Sequence, residues 1–278
     1  MNTGMVLITE KEFKQISSLL YDNFGINLTD KKQTLVRGRL NKIIKTKGYE
    51  TFTNYYNAIK EDRTGLLQIE LADNLSTNHS YFFRENEHFK YLTSNTLPEI
   101  ETSSGGKDPS ELRIWCAGCA AGEEPYTLAI LLKEYFGNRL SHINPVILAT
   151  DISTTALNSA KSGIYSKDKL KSMPLKYIDK YFNNLGNSKY SVKPDLRKLI
   201  LFKRLNLMRD FFPFSNKFDI IFCRNVMIYF DKETRETLIS KYHDNLISRG
   251  ILYIGHSETI GRNSSQFQYL IPAVYRKK

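Results

Sequence analysis

The 278-residue sequence predicts an α/β fold: a mostly parallel sheet with helices on both faces, a small helical domain before it and an antiparallel β-subdomain inserted into it. Three observations lead there. Short apolar runs alternate with helical patterns from residue 110 onward. Before residue 73, apolar residues recur at three-to-four spacing. Between the second and third apolar runs lies a stretch too long for a simple crossover.

Length suits one large domain plus a smaller one. With 41% hydrophobic and 25% charged residues, and no apolar run near the ~18 residues that span a bilayer, the composition is that of a globular chain. The first eleven residues lack the basic start, apolar stretch and cleavage site of a secretory signal, so a cytoplasmic location is expected. Three cysteines agree with that compartment.

In the first segment, Phe13, Ile16, Leu19 and Leu20 share one helical face, as do Val36, Leu40, Ile43 and Ile44, so residues 1–76 read as an N-terminal helical domain. Thr29-Asp30 offers a helix start and Gly48 a stop, which makes residues 31–47 one amphipathic helix. It carries seven basic residues and no acid. Residues 77–109 read as a linker helix and a loop, the loop being the polar, turn-rich 102–109.

In the third segment, 110–278, strands are expected at 112–117, 146–150, 199–203, 218–223 and 251–255, and helices at 126–136, 154–161 and 232–247. Within 162–198, Asn183-Asn-Leu-Gly-Asn-Ser188 has the composition of a hairpin turn, which sets the inserted β-subdomain around 165–200.

The net charge of +11 calls for an acidic partner, whether nucleic acid, membrane surface or protein. Residues 161–209 hold 13 Lys/Arg against three acids. A solvated face explains either basic run taken alone.

The strongest chemical signal is Ile114-Trp-Cys-Ala-Gly118-Cys-Ala-Ala-Gly122-Glu123-Glu124-Pro125, a strand entering a small-residue turn and then a helix. Two carboxylates in the first helical turn disfavour a nucleotide pyrophosphate. They suit the ammonium group of an amino-acid-like cofactor such as S-adenosylmethionine, although they also simply complement the helix dipole. Cys116 and Cys119 have the spacing of a thioredoxin-like redox pair, yet they end an apolar strand, where Cys is an easily buried residue.

Asp151 closes the second strand, where a carboxylate can accept both ribose hydroxyls; a helix N-cap is the plainer reading, but Ser153 serves that equally. Asn206-Leu207 and Arg224-Asn225 follow the third and fourth strands, at the carboxyl edge where open α/β sheets bind ligands. Upstream, Asn78-His-Ser-Tyr-Phe-Phe-Arg84 joins the two domains. Arg84 can clamp a carboxylate, and one of the aromatics beside it can face a sulfonium, though Phe82 and Phe83 read first as core. His256 is a candidate to line the pocket, against the commoner reading of a satisfied histidine at a strand end.

Taken together, Thr77-Asn-His-Ser-Tyr-Phe-Phe-Arg84, Gly122-Glu-Glu-Pro-Tyr126, Ser162-Gly-Ile-Tyr165, Phe222-Cys-Arg-Asn-Val-Met-Ile-Tyr-Phe-Asp231 and Gly255-His-Ser-Glu258 resemble the chemotaxis receptor methyltransferase (CheR) family over essentially the whole chain. The resemblance implies a Rossmann-like methyltransferase sheet and S-adenosylmethionine as cofactor, with S-adenosylhomocysteine as product. It implies glutamate methyl esters on methyl-accepting chemotaxis receptors as the outcome. Carried over by position, the cofactor residues are Asn78, Ser80, Arg84, Glu123, Asp151, Asn206, Leu207, Arg224 and Asn225. Ser80 stands where the family often has threonine, and its hydroxyl survives.

Methyl transfer from a sulfonium needs alignment and exclusion of water, and a glutamate carboxylate, which ordinarily titrates near ~4.3, is already ionised, so neither a metal nor a general base is expected. Arg84 and Tyr229 are the candidates for handling the acceptor, with Arg224 adding positive field; plain packing explains Tyr229 as well. The basic helix 31–47 and the basic insert 161–209 are the expected docking surfaces for acidic receptor helices. A nucleic-acid methyltransferase is the main rival, favoured by the charge and by 17 Tyr and 16 Phe. Against it, no RNA-binding module is recognisable and the motif after the fourth strand lacks the Pro-Pro of amino-methylating DNA enzymes. A non-catalytic scaffold that keeps the fold is the third reading.

Overall fold

The computed structural model describes residues 6–76, 79–103, 111–261 and 264–278. Helices α1 (Glu10–Phe24), α2 (Gln33–Thr46), α3 (Phe52–Glu61) and α4 (Leu66–Leu75) form a bundle with its own core around Ile16, Leu20, Leu40, Phe52 and Ile59. A capping box starts α1: Thr9 Oγ1 accepts from Glu12 N while Glu12 reaches back to Thr9 N. The other Glu12 oxygen accepts from Thr53 N at 2.9 Å, tying α1 to the start of α3. The expected helix over 31–47 is divided: a 3-10 turn, Asp30–Lys32, precedes α2. Its cationic face is also partly spent. Arg39 Nη1 donates to the Leu75 and Ser76 carbonyls at 3.0 and 2.9 Å, capping α4, and Lys47 pairs with Glu70 at 2.6 Å.

Helices α5 (Asn86–Tyr91) and α6 (Leu97–Ser103) lead to the sheet, with a π-helical stretch between them. Thr102 and Ser103, expected in a loop, close α6; the rest of that loop lies outside the described residues.

The sheet is built from β1 (Glu111–Ala117), β2 (Asn144–Asp151), β6 (Ile200–Arg204), β7 (Phe218–Cys223), β8 (Leu246–Ile254), β9 (Phe267–Ile271) and β10 (Val274–Lys277), in the order β6-β2-β1-β7-β8-β10-β9. The first five pair in parallel and β10 runs antiparallel to both neighbours. On β1, Leu112, Ile114 and Cys116 face one core and Trp115 and Ala117 the other, as a strand covered on both faces requires. Strand order reverses between β1 and β7, which opens a crevice at their carboxyl ends. Helices α7 (Glu123–Phe136), α8 (Thr154–Ser162) and α11 (Lys232–Asn245) complete the layers.

Sequence reasoning carries the last helix to 247, but β8 begins at Leu246 with no loop. The buried set Leu238, Tyr242 and Leu246 keeps helical spacing through the junction, so periodicity alone cannot mark it. Strands β9 and β10 were not expected.

The insert comprises β3 (Ile164–Ser166), α9 (Leu175–Tyr181), β4 (Phe182–Gly186), β5 (Lys189–Val192) and α10 (Pro194–Arg197), with strand order β3-β5-β4, all antiparallel. Asn187 and Ser188, both at positive φ (48° and 57°), make the expected hairpin turn.

The helical bundle sits against the carboxyl edge of the sheet. Asp73 on α4 accepts from Thr154 N (3.1 Å), Thr155 N (3.2 Å) and Thr155 Oγ1 (2.9 Å) at the start of α8. Asn27 N donates to the Tyr229 carbonyl at 2.9 Å, and Tyr21 Oη to Asp231. Among the described residues no helix is long and apolar enough to cross a membrane.

Candidate functional site

The turn after β1 is drawn tight by two amides, Gly118 N and Cys119 N, which both donate to the Thr150 carbonyl at 2.8 and 2.9 Å. Gly118 has φ of 80°, and a Cβ there would lie 2.3 Å from Val226 Cγ2, so glycine is what lets the turn meet the loop after β7. At the end of β2, Asp151 Oδ2 accepts from Ala120 N and Oδ1 from Ser153 N, each at 2.8 Å. Burial raises its pKa while those amides hold it down. Gly118, Cys119, Ala120 and Asp151 line one wall of a cleft.

The two carboxylates opening α7 part company. Glu123 is fully buried and turns away from the cleft to meet Lys169 of the insert at 3.0 Å. Glu124 lines the cleft, accepting from Cys116 Sγ at 2.8 Å and pairing with Arg224 Nη1 at 3.1 Å. Burial raises the Glu124 pKa and Arg224 opposes the rise. Lys169 also donates to the Ser80 carbonyl at 3.1 Å, so one cation of the basic insert works inside the molecule.

Arg224 and Asn225 leave β7 into a net of carboxylates. The Arg224 side chain is nearly wholly buried, ion-paired with Glu85 at 3.2 Å, stacked 5.0 Å from the Phe89 ring and bonded to the Arg84 carbonyl. Asn225 Nδ2 donates to Glu85 Oε1 at 3.0 Å. Burial pushes the Glu85 carboxyl up, but the Asn225 amide, the Arg224 charge and the neighbouring His256 and His88 lower it, and its pKa lies below the ordinary value. Glu85, His88 and His256 bring metal-type donor atoms within 4.8 Å of one another. The guanidinium already supplies Glu85 with its cation.

The opposite wall comes from the linker and the helical domain: Phe24, Ile26, Ser76, His79, Ser80, Tyr81 and Arg84. Arg84 Nη1 donates to the His79 carbonyl at 2.8 Å and the guanidinium lies 5.8 Å from the Tyr81 ring. Leu205, Asn206 and Leu207 follow β6; Asn206 Nδ2 donates to the Asn23 carbonyl at 2.7 Å, bracing the bundle. Tyr229 closes the rim, with Lys32 Nζ 5.9 Å from its ring.

Of the residues expected from sequence, Ser80, Arg84, Asp151, Asn206, Leu207, Arg224, Asn225 and Tyr229 meet in this cleft. Asn78 lies outside the described residues. Glu123 does not line the cleft; its neighbour Glu124 does. His256 packs against His88 rather than in the cleft, with ring centroids 4.5 Å apart. Phe82 is core, Phe83 stacks on Tyr177, and the rings that reach the cleft nearby are His79 and Tyr81 of the linker and Phe89 of α5. All three cysteines are free and buried, with burial pushing the thiols up, which removes the redox reading. Sequence reasoning missed Glu85, Phe24 and Ile26. Glu85 follows Arg84 directly and had that single signal; the other two look like ordinary core.

Residues 78–275 match the family model described as CheR methyltransferase, SAM binding domain, and residues 11–76 match CheR methyltransferase, all-alpha domain. A chemotaxis protein methyltransferase of Borreliella burgdorferi is 47% identical over 271 residues, covering 97% of this chain and 95% of the relative. A probable chemotaxis protein methyltransferase of Rhizobium etli is 36% identical over 247 residues (87% and 90%). The chemotaxis protein methyltransferase of Escherichia coli is 31% identical over 277 residues (98% and 93%). With a switch-point cleft that gathers the strand-end residues and a match running from the bundle to the last strand, the chain belongs to the CheR methyltransferase family and binds S-adenosylmethionine.

Proposed function

We propose that this methyltransferase esterifies glutamate side chains on the cytoplasmic part of methyl-accepting chemotaxis receptors, releasing S-adenosylhomocysteine. The observation that carries the reading is one cleft with a buried carboxylate at its base, Asp151, and a guanidinium and a phenol, Arg84 and Tyr229, along its lining. The names of the relatives supply the chemotactic setting.

The cleft suits its cofactor. Asp151 has both oxygens oriented by amides and lone pairs remaining for ribose hydroxyls. Phe24, Ile26 and Leu207 give an apolar berth for a purine, and Glu124 offers a carboxylate to an ammonium. Gly118, packed against Val226, lets the backbone approach closely. When bound, S-adenosylmethionine supplies a methyl group on a sulfonium, and the departing sulfur becomes neutral.

The chain's own work is then alignment and shielding. A guanidinium has five N–H donors, enough for Arg84 to keep the His79 carbonyl and hold an acceptor carboxylate. Tyr229 fixes that carboxylate from the side of the helical domain. The acceptor arrives ionised and no proton needs removal. Exposed Lys42 and Lys45 on α2, with Lys167, Lys171 and Lys176 of the insert, present cations to an acidic helical partner and mainly speed encounter.

Purified protein is incubated with radiolabelled S-adenosylmethionine and receptor-containing membranes, and the product is treated with mild base. Label on receptor that is released as methanol is expected. Label on added RNA or DNA instead, or no receptor label despite cofactor binding, refutes the proposal.

A further inference from the structure

The Gly255-His-Ser-Glu258 motif is not part of the cleft lining, yet its last residue is buried and touches the loop that is. Glu258 Oε2 accepts from Asn225 N at 3.1 Å and from Gly255 N; Oε1 accepts from Ile228 N at 3.2 Å. One carboxylate thus gathers amides from the loops after β7 and β8. The loop after β7 carries Arg224, Asn225, Val226, Tyr229 and Phe230 into the cleft.

Two further observations show that this loop needs holding. Asn225 has φ of 59°, a left-handed conformation that residues with a Cβ adopt rarely, asparagine more readily than most. The two loops are also in direct contact, since a Cβ on Gly255 would lie 2.6 Å from Asn225 Nδ2 and 2.8 Å from Asn225 N. Three donors converging on one point call for a group with two acceptor oxygens and no donor, which among side chains is an ionised carboxylate.

We propose that Glu258 is a positioning residue for cofactor binding, acting through the loop 224–229 that it bolts to the end of β8. The proposal rests on the cofactor assignment and not on the identity of the methyl acceptor. Glutamine has the same shape but presents an NH2 where only acceptors serve, so at least one of the three amides loses its partner.

In the full-length protein, Glu258→Gln is expected to raise the dissociation constant for S-adenosylhomocysteine, measured by calorimetry, at least ~10-fold, as loss of a charge-assisted hydrogen bond implies. The KM for S-adenosylmethionine rises with it. Leu132→Ala, in the core on α7 and away from the cleft, is expected to lower the Tm without moving that constant. If Glu258→Gln binds the product within about twofold of the parent, or if Leu132→Ala weakens binding as much, the proposal falls. Hydrogen exchange of the unaltered protein gives a reading that needs no variant. The Asn225 and Ile228 amides are expected to exchange slowly without ligand, and rapid exchange there overturns the proposal. An unaltered protein that binds S-adenosylhomocysteine but labels no receptor refutes the proposed function and leaves this inference standing.

Discussion

Acidification should cost this protein stability through one histidine. His88 has no exposed surface; its ring meets His256 edge-on at 4.5 Å and Tyr253 at 5.8 Å. Burial, aided by Arg224 and His256, pushes its pKa from 6.5 to about 4, against the opposing pull of Glu85 and the Pro272 carbonyl. His88 is therefore neutral in the fold at pH values where the unfolded chain would protonate it. The unfolded state binds more protons between these limits, so the contribution is complete above pH 6.5 and is lost as pH falls toward about 4. At ~1.4 kcal/mol per pKa unit the full loss is about 3 kcal/mol, a large part of the ~5–15 kcal/mol that holds a typical domain. Burial shifts the carboxyls of Glu124, Asp151 and Glu258 upward, which works the other way on acidification, so the histidine must be isolated by difference. His88→Phe keeps an aromatic ring against Tyr253 and removes the titration. Urea unfolding of both proteins, followed through the single, buried Trp115, should show the unaltered protein losing about 3 kcal/mol relative to the variant between pH 7 and pH 4. Curves that stay parallel would refute the reasoning.

Three other outcomes are expected. Asp151→Asn sets an amide donor against Ala120 N or Ser153 N, and the dissociation constant for S-adenosylhomocysteine should rise at least ~10-fold in calorimetry with the circular dichroism spectrum intact. Tyr229→Phe should leave that constant within about twofold and lower kcat for receptor methylation ~10-fold or more, as loss of one orienting hydrogen bond implies; an unchanged kcat returns Tyr229 to packing. Asp73→Ala strips the start of α8 of three bonds from α4 and should cost roughly 1–2 kcal/mol in urea unfolding, the usual loss for a helix cap; an unmoved midpoint shows that the contact does not hold the bundle in place.

The parallel strands were legible because a strand covered on both faces is a continuous apolar run, as in Ile114-Trp-Cys-Ala117. Asp151, Arg224 and Asn225 were legible for a related reason: polar residues directly after such runs fall at the carboxyl edge. What escaped depends on contacts distant in sequence. Glu123 and Glu124 are adjacent on one helical turn, and which of them faces the cleft is decided by Lys169, 46 positions downstream of Glu123. The left-handed backbone at Phe83 and Glu85 has no propensity signal, since neither is glycine or asparagine. The end of α11 was hidden because Leu246 fits the helical period and the strand at once.

Phe24, Ile26 and Ser76 give the cleft a wall that belongs to the helical bundle, so the cleft is whole only while bundle and sheet are docked. Ligand and docking are therefore thermodynamically linked. Whatever free energy the bound ligand draws from that wall is returned as tighter docking of bundle and sheet, and whatever holds the bundle in place tightens the ligand by the same factor.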